Sequence, residues 1–170
     1  MIPGNRVMHR EDLYIEHRPD PAKQASKSSR NLRIIERAVQ AGDRSSRTLY
    51  YYANELRDSG RDADALEAYA AYLQDPGVEW EQYTALISSS ECSERLGRSE
   101  GSLKHLYAAV RLFVSPPDYT WRPWDYISVC LANLDRHEDS IAATIRSLNA
   151  GNPDRDRLRS NLHWSVHQLA

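Results

Sequence analysis

The turn at Gly60 in "NELRDSGRDADALEAYAAYL" returns at Gly97 in "SECSERLGRSEGSLKHLYAAV" and at Asp135 in "VCLANLDRHEDSIAATIRSL", at spacings of 37 and 38 residues. No other feature of the 170-residue chain restricts its fold as strongly. Each turn separates two helix-length stretches. A small residue follows five positions later (Ala65, Ser102, Ser140), then a bulky or β-branched one four further on (Tyr69, Leu106, Thr144). Tyr72, Ala109 and Ser147 come three after that, and Pro76, Pro116 and Pro153 follow each second stretch. Such a period describes repeated helical hairpins, none of which can bury its apolar face without a neighbour.

Two helices per unit, a turn glycine, an early small residue and a closing proline are the grammar of tetratricopeptide repeats. The expected fold is therefore an all-α, tetratricopeptide-like α-solenoid. Its lead helix covers 30–42, its hairpins about 45–76, 79–115 and 121–152, and a capping helix 154–170. The small residue lets the two helices of a unit approach closely. The tryptophan expected near the start of each first helix is replaced by Leu49 and Leu86, and stands only at Trp124. Ser88, Ser89, Ser90 and Ser93 make the middle unit polar and predict weaker packing there. In the tail, Leu158, Leu162, Val166 and Leu169 form one apolar stripe, suited to covering the last hairpin.

Residues 1–29 read as an extended N-terminal arm and linker. "DLYIEHRPDP" sets Leu13, Ile15 and His17 against Tyr14 and Glu16 with the period of a short strand, which Pro19 and Pro21 end. "AKQASKSS" reads as a polar linker, with Ser28 or Ser29 capping a helix whose apolar face carries Leu32, Ile35 and Val39. Gly42 closes that helix. A lone strand has no partner for its backbone groups, so it either lies along the helices as an extended arm or belonged to a sheet that this chain lacks.

Composition narrows the function classes. Net charge is −2, with ten Lys/Arg against six Asp/Glu in residues 1–48 and twelve against eighteen after them. That net charge is no nucleic-acid or membrane footprint; a basic lead on an acidic body could contact a phosphate or an acidic neighbour, and reads better as a solvated arm. No 18-residue apolar run or signal peptide is evident, so a cytoplasmic protein is expected. Two cysteines do not make a disulfide framework. Cys92 and Cys130 are 38 residues apart, so they occupy one position on successive first helices and read as small core residues.

Nothing makes a strong case for chemistry. His163 and His167 have the i, i+4 spacing of two zinc ligands, without an intervening glutamate or an indicated third ligand. Asp62-x-Asp64 and Asp154-x-Asp156 match the acidic pairs that hold divalent ions in sugar-nucleotide enzymes, but both stand at helix starts, where capping accounts for them. No phosphate-binding, dinucleotide-binding, nucleophile-elbow or dithiol motif occurs. No catalytic residue, metal or cofactor is assigned, and the chain reads as a docking module.

The wording around His17, Arg30-Asn31-Leu32 and Arg47 through Leu66, with "YTWRPWDYISVCLANLDRHEDSI" and "RLRSNLHW" later, resembles the C-terminal region of family 2 glycosyltransferases that carry a tetratricopeptide extension. That resemblance runs from about residue 10 to 166 and implies a non-catalytic module associated with a glycosyltransferase. The family's nucleotide-sugar domain would precede residue 1. Two alternatives accompany this reading: a catalytic domain supplied in trans or lying outside this chain, and a general scaffold for protein–protein interaction. In such solenoids the first helices line the concave face. The inward positions map to Tyr50, Asn54 and Arg57, to Ile87, Glu91 and Arg95, and to Asp125, Val129 and Asn133. Polar side chains there suit a protein partner's extended peptide, or a glycan acceptor, better than an apolar helix.

Overall fold

In a computed structural model, residues 21–112 and 120–169 are described, and they form eight α-helices. These are α1 (Pro21–Gln40), α2 (Ser46–Asp58), α3 (Asp62–Tyr72), α4 (Glu79–Arg95), α5 (Ser99–Val110), α6 (Trp121–Asn133), α7 (His137–Asn149) and α8 (Arg155–His167). Successive helices pack on one another throughout, and α2 also touches α4 across the intervening hairpin. The result is three stacked hairpins, α2–α3, α4–α5 and α6–α7, with α1 before them and α8 after.

The hairpin turns share one backbone solution. Gly60, Gly97 and Asp135 have φ of +76°, +68° and +57°. In each case the next residue's N–H reaches back five positions: Arg61 to Leu56 O at 2.9 Å, Arg98 to Ser93 O at 2.8 Å, Arg136 to Leu131 O at 2.9 Å. This is a Schellman closure, which satisfies carbonyls that a helix end would otherwise orphan. Its left-handed residue is cheap for glycine and strained for aspartate.

The second helices then pack as their small residues require. Ala65, Ser102 and Ser140 are buried, and so are Tyr69, Leu106 and Thr144 beyond them and Tyr72, Ala109 and Ser147 after those. One apolar cluster joins Leu49, Ala53 and Leu56 to Ala65, Tyr69, Tyr72 and Cys92. A second joins Ile87, Leu103 and Leu106 to Ile127, Leu131 and Ala143.

Four details differ from the sequence expectation. Helix α1 starts at Pro21 rather than Arg30, so the stretch read as a linker at 22–29 is helical, and Ser28 and Ser29 lie inside the helix. Proline suits a first helical position, and the Ala, Lys and Gln that follow are good helix formers. The strand expected at 12–18 lies outside the described residues.

The serines of α4 do not loosen it. Ser89, Ser90 and Ser93 are buried, and their hydroxyls donate to Ala85 O, Ile87 O and Ser89 O at 2.7, 2.7 and 2.9 Å. Returning each hydroxyl to its own helix leaves a small residue at the contact and no unsatisfied donor.

Helix α8 buries Leu158 and Ser165, while Val166 and Leu169 are 54% and 51% exposed. At 100° per residue Ser165 falls almost over Leu158, Val166 is rotated off that line, and Leu169 lies past the helix end. Finally, Asp154 caps α8 through the Arg157 N–H, but Asp62 does not cap α3, whose N-cap is Arg61. The Asp62 carboxylate instead accepts a bidentate pair from Arg95 of α4.

Candidate functional site: the groove along α2, α4 and α6

The first helices of the hairpins enclose a groove of about 460 Å³. Five of the nine expected inward residues line it: Tyr50, Asn54 and Arg57 from α2, and Ile87 and Glu91 from α4. Seven further residues complete it: Tyr51, Glu55 and Asp58 of α2, Tyr83, Thr84 and Ser88 of α4, and Arg122 at the start of α6.

A connected set of polar contacts fixes these side chains. The Thr84 hydroxyl lies 3.1 and 3.0 Å from the Trp80 and Glu81 carbonyls and 2.8 Å from the Tyr50 hydroxyl. Thr84 has one proton, which its own helix takes, so Tyr50 donates to it and is held across the α2–α4 junction. Deeper in, the Tyr69 hydroxyl donates to Asn54 Oδ1 at 2.6 Å. Burial pushes Tyr69 up to about 12, which keeps it a donor. Ser88 bonds the same tyrosine and accepts from Arg57. Arg57 also holds Asp58 through Nε and Nη2 at 2.9 and 2.8 Å.

The far wall is more open. Glu91 accepts from the Tyr126 hydroxyl at 3.1 Å, and the Arg122 guanidinium stands 3.9 Å from Glu91 and 5.8 Å from the Tyr126 ring centroid. Arg122 is held by this distant carboxylate and by Tyr126, whose hydroxyl it also meets, and its five N–H donors leave some for an anionic or carbonyl oxygen.

The other four expected residues lie elsewhere. Arg95 turns to Asp62, which its guanidinium holds well below the usual carboxylate range. Asp125 accepts from Arg157 at 2.7 Å and ties α6 to α8, leaving its Oδ1 buried without a partner among the described residues. Val129 is 42% exposed and lines a small cavity of about 130 Å³ with Asn161 and Trp164. Asn133 is exposed at the end of α6. Arg95 and Asn133 stand two residues before their turns, whereas Arg57 stands three before Gly60. One position is a rotation of about 100° on a helix, which sends Arg57 into the groove and Arg95 toward α3.

Cys92 and Cys130 are both free and buried, and burial pushes each thiol up to about 12. Among the described residues no group of three or more metal-ligating side chains occurs, and no helix is long and apolar enough to cross a membrane.

No protein-family model matches the sequence, and no curated protein does. Solved structures do match by shape. A crystal structure of MamA superposes with TM-score 0.71 at 14% identity, over 86% of this chain and 76% of that one. A second MamA structure gives 0.69 at 14% identity, over 91% and 85%. YrrB, described as a tetratricopeptide protein with an unusual peptide-binding site, gives 0.68 at 14% identity, over 85% and 71%. At such identities the likeness speaks to architecture: the chain has the tetratricopeptide-like α-solenoid fold that its repeat period implies.

Proposed function

We propose that this chain is a docking module that holds an extended peptide of a partner protein in the groove of α2 and α4, under Arg122. The observation that carries the reading is the pairing of pre-set polar groups with an open rim. Tyr50, Asn54 and Arg57 are locked by Thr84, Tyr69 and Ser88, so little side-chain freedom is lost when a ligand arrives. Asn54 offers its amide donors to a main-chain carbonyl, and Arg122 offers a fork of donors to a carboxylate. A peptide with an acidic side chain or a terminal carboxylate near its end fits this order of groups. The likeness to YrrB supports peptide binding by the fold class.

Selection of peptides from a random library on the intact chain tests the reading. Ligands should share an acidic position, and Arg122→Glu should weaken them at least tenfold, about 1.4 kcal/mol. Ligands that bind Arg122→Glu equally well would contradict it.

The resemblance carried by Arg30-Asn31-Leu32 and Arg47 through Leu66 favours a second, finer reading, in which the partner belongs to a glycosyltransferase system and the groove presents its acceptor. Its support is that wording alone. If acceptor glycans compete with selected peptides for the groove, this reading gains. If they leave peptide binding unchanged, it fails.

A further inference from the structure

On α8, far from the groove residues in sequence, His163 and His167 present their Nε2 atoms 3.2 Å apart, with both side chains exposed. The ring centroids are 4.3 Å apart at 68°. We propose that this pair is an open chelating site for a divalent late first-row metal ion of the zinc class, held by two imidazole nitrogens with water in its remaining positions.

The argument is geometric first. Zinc–imidazole bonds are about 2.0–2.1 Å, so two nitrogens 3.2 Å apart subtend about 103° at a shared ion. That is close to a tetrahedral angle, and the rings reach it without a change of helix geometry. The facing Nε2 atoms are within hydrogen-bond distance, so when both rings are neutral one Nε2 is the donor. A metal needs both Nε2 lone pairs, so that ring takes the other tautomer and each Nδ1 carries the N–H. Neutral imidazole is a ligand suited to zinc, copper and nickel, and poorly suited to magnesium or calcium.

Position is the second argument. His167 is the last residue of α8, where the helix dipole presents its negative end. A dication there is favoured on the same grounds as a basic side chain. The site also lies on the face opposite Leu158 and Ser165, the buried residues of α8, so binding needs no rearrangement of the α7–α8 contact. The ion would staple the final turn of the cap, just before Leu169, which is half exposed.

The test uses the full chain without an affinity tag, titrated with zinc chloride by calorimetry, together with hydrogen exchange of the α8 amides. One saturable event is expected, with slower exchange at 167–169. Each of His163→Ala and His167→Ala should weaken binding by roughly tenfold or more and abolish the slowing. Both sites are exposed and alanine favours helix, so these variants fold. His105→Ala should bind like the parent chain. Absence of saturable binding, or binding that survives both substitutions, would overturn the proposal.

Discussion

The Tyr69 hydroxyl, on the second helix of the first hairpin, donates to Asn54 Oδ1 at 2.6 Å, and Asn54 faces the groove from the first helix. The amide is thereby oriented from behind: its oxygen is occupied and its nitrogen is left for a ligand. Tyr69 is fully buried, so it belongs to the core while setting a surface group. Replacing Tyr69 with Phe leaves the ring and removes the donor. The expected cost is about 1–3 kcal/mol in urea unfolding, because Asn54 and Ser88 both lose a buried partner. Peptide affinity should fall as well, although Tyr69 does not line the groove. Unchanged affinity in a folded Tyr69→Phe protein would mean that Asn54 is not held by this contact.

Asp135 occupies the left-handed position that Gly60 and Gly97 occupy in the other hairpins. Its carboxylate is almost fully exposed and lies 3.8 Å from His137. Asp135→Gly should therefore stabilise the chain, by about 1 kcal/mol at most, since the αL penalty of an L side chain outweighs that distant contact. Gly97→Ala should do the reverse by about 1–2 kcal/mol. The thermal midpoints of the two variants should move in opposite directions.

Ala65 has no exposed surface and packs in the apolar cluster that joins α2 to α3. Ala65→Leu forces those helices apart and should cost about 1–3 kcal/mol. Glu67→Leu, two residues away on the exposed side, should shift stability by no more than about 0.5 kcal/mol. Equal midpoints for the two variants would contradict the packing.

With both thiols pushed up to about 12 by burial, Cys92 and Cys130 should be inert to disulfide reagents at pH 8 in the native state. The Cys130 thiol also faces Glu94 at 3.2 Å, whose charge disfavours a thiolate. Two thiols should react promptly in denaturant. Rapid native-state labelling of either would show that its helix opens locally.

The repeat register was legible because turn chemistry and small-residue spacing are local: Gly60, Gly97 and Asp135 recur at spacings of 37 and 38 residues, and all three have positive φ. The helix at 21–29 was hidden by Ser28 and Ser29, which favour caps in isolation yet are tolerated inside α1. On α8, spacing alone set Val166 with Leu158, where the helical rotation separates them. The groove was legible only on α2 and α4, where periodicity orients a side chain. Arg95 and Asp125 were lost to ion pairs with Asp62 and Arg157, 33 and 32 residues away in sequence. Arg122 was missed because nothing local marks the residue after Trp121 as facing another hairpin.

The central claim is that the surface of α2 and α4, with Arg122, is where a partner's peptide lies. Amide chemical-shift mapping of the isotopically labelled chain with a library-selected peptide tests it most directly. The expected shifts cluster at Tyr50, Asn54 and Arg57, at Thr84, Ser88 and Glu91, and at Arg122, and shrink in Arg122→Glu. Shifts confined to α3, α5, α7 or α8, with the groove amides unmoved, would contradict it.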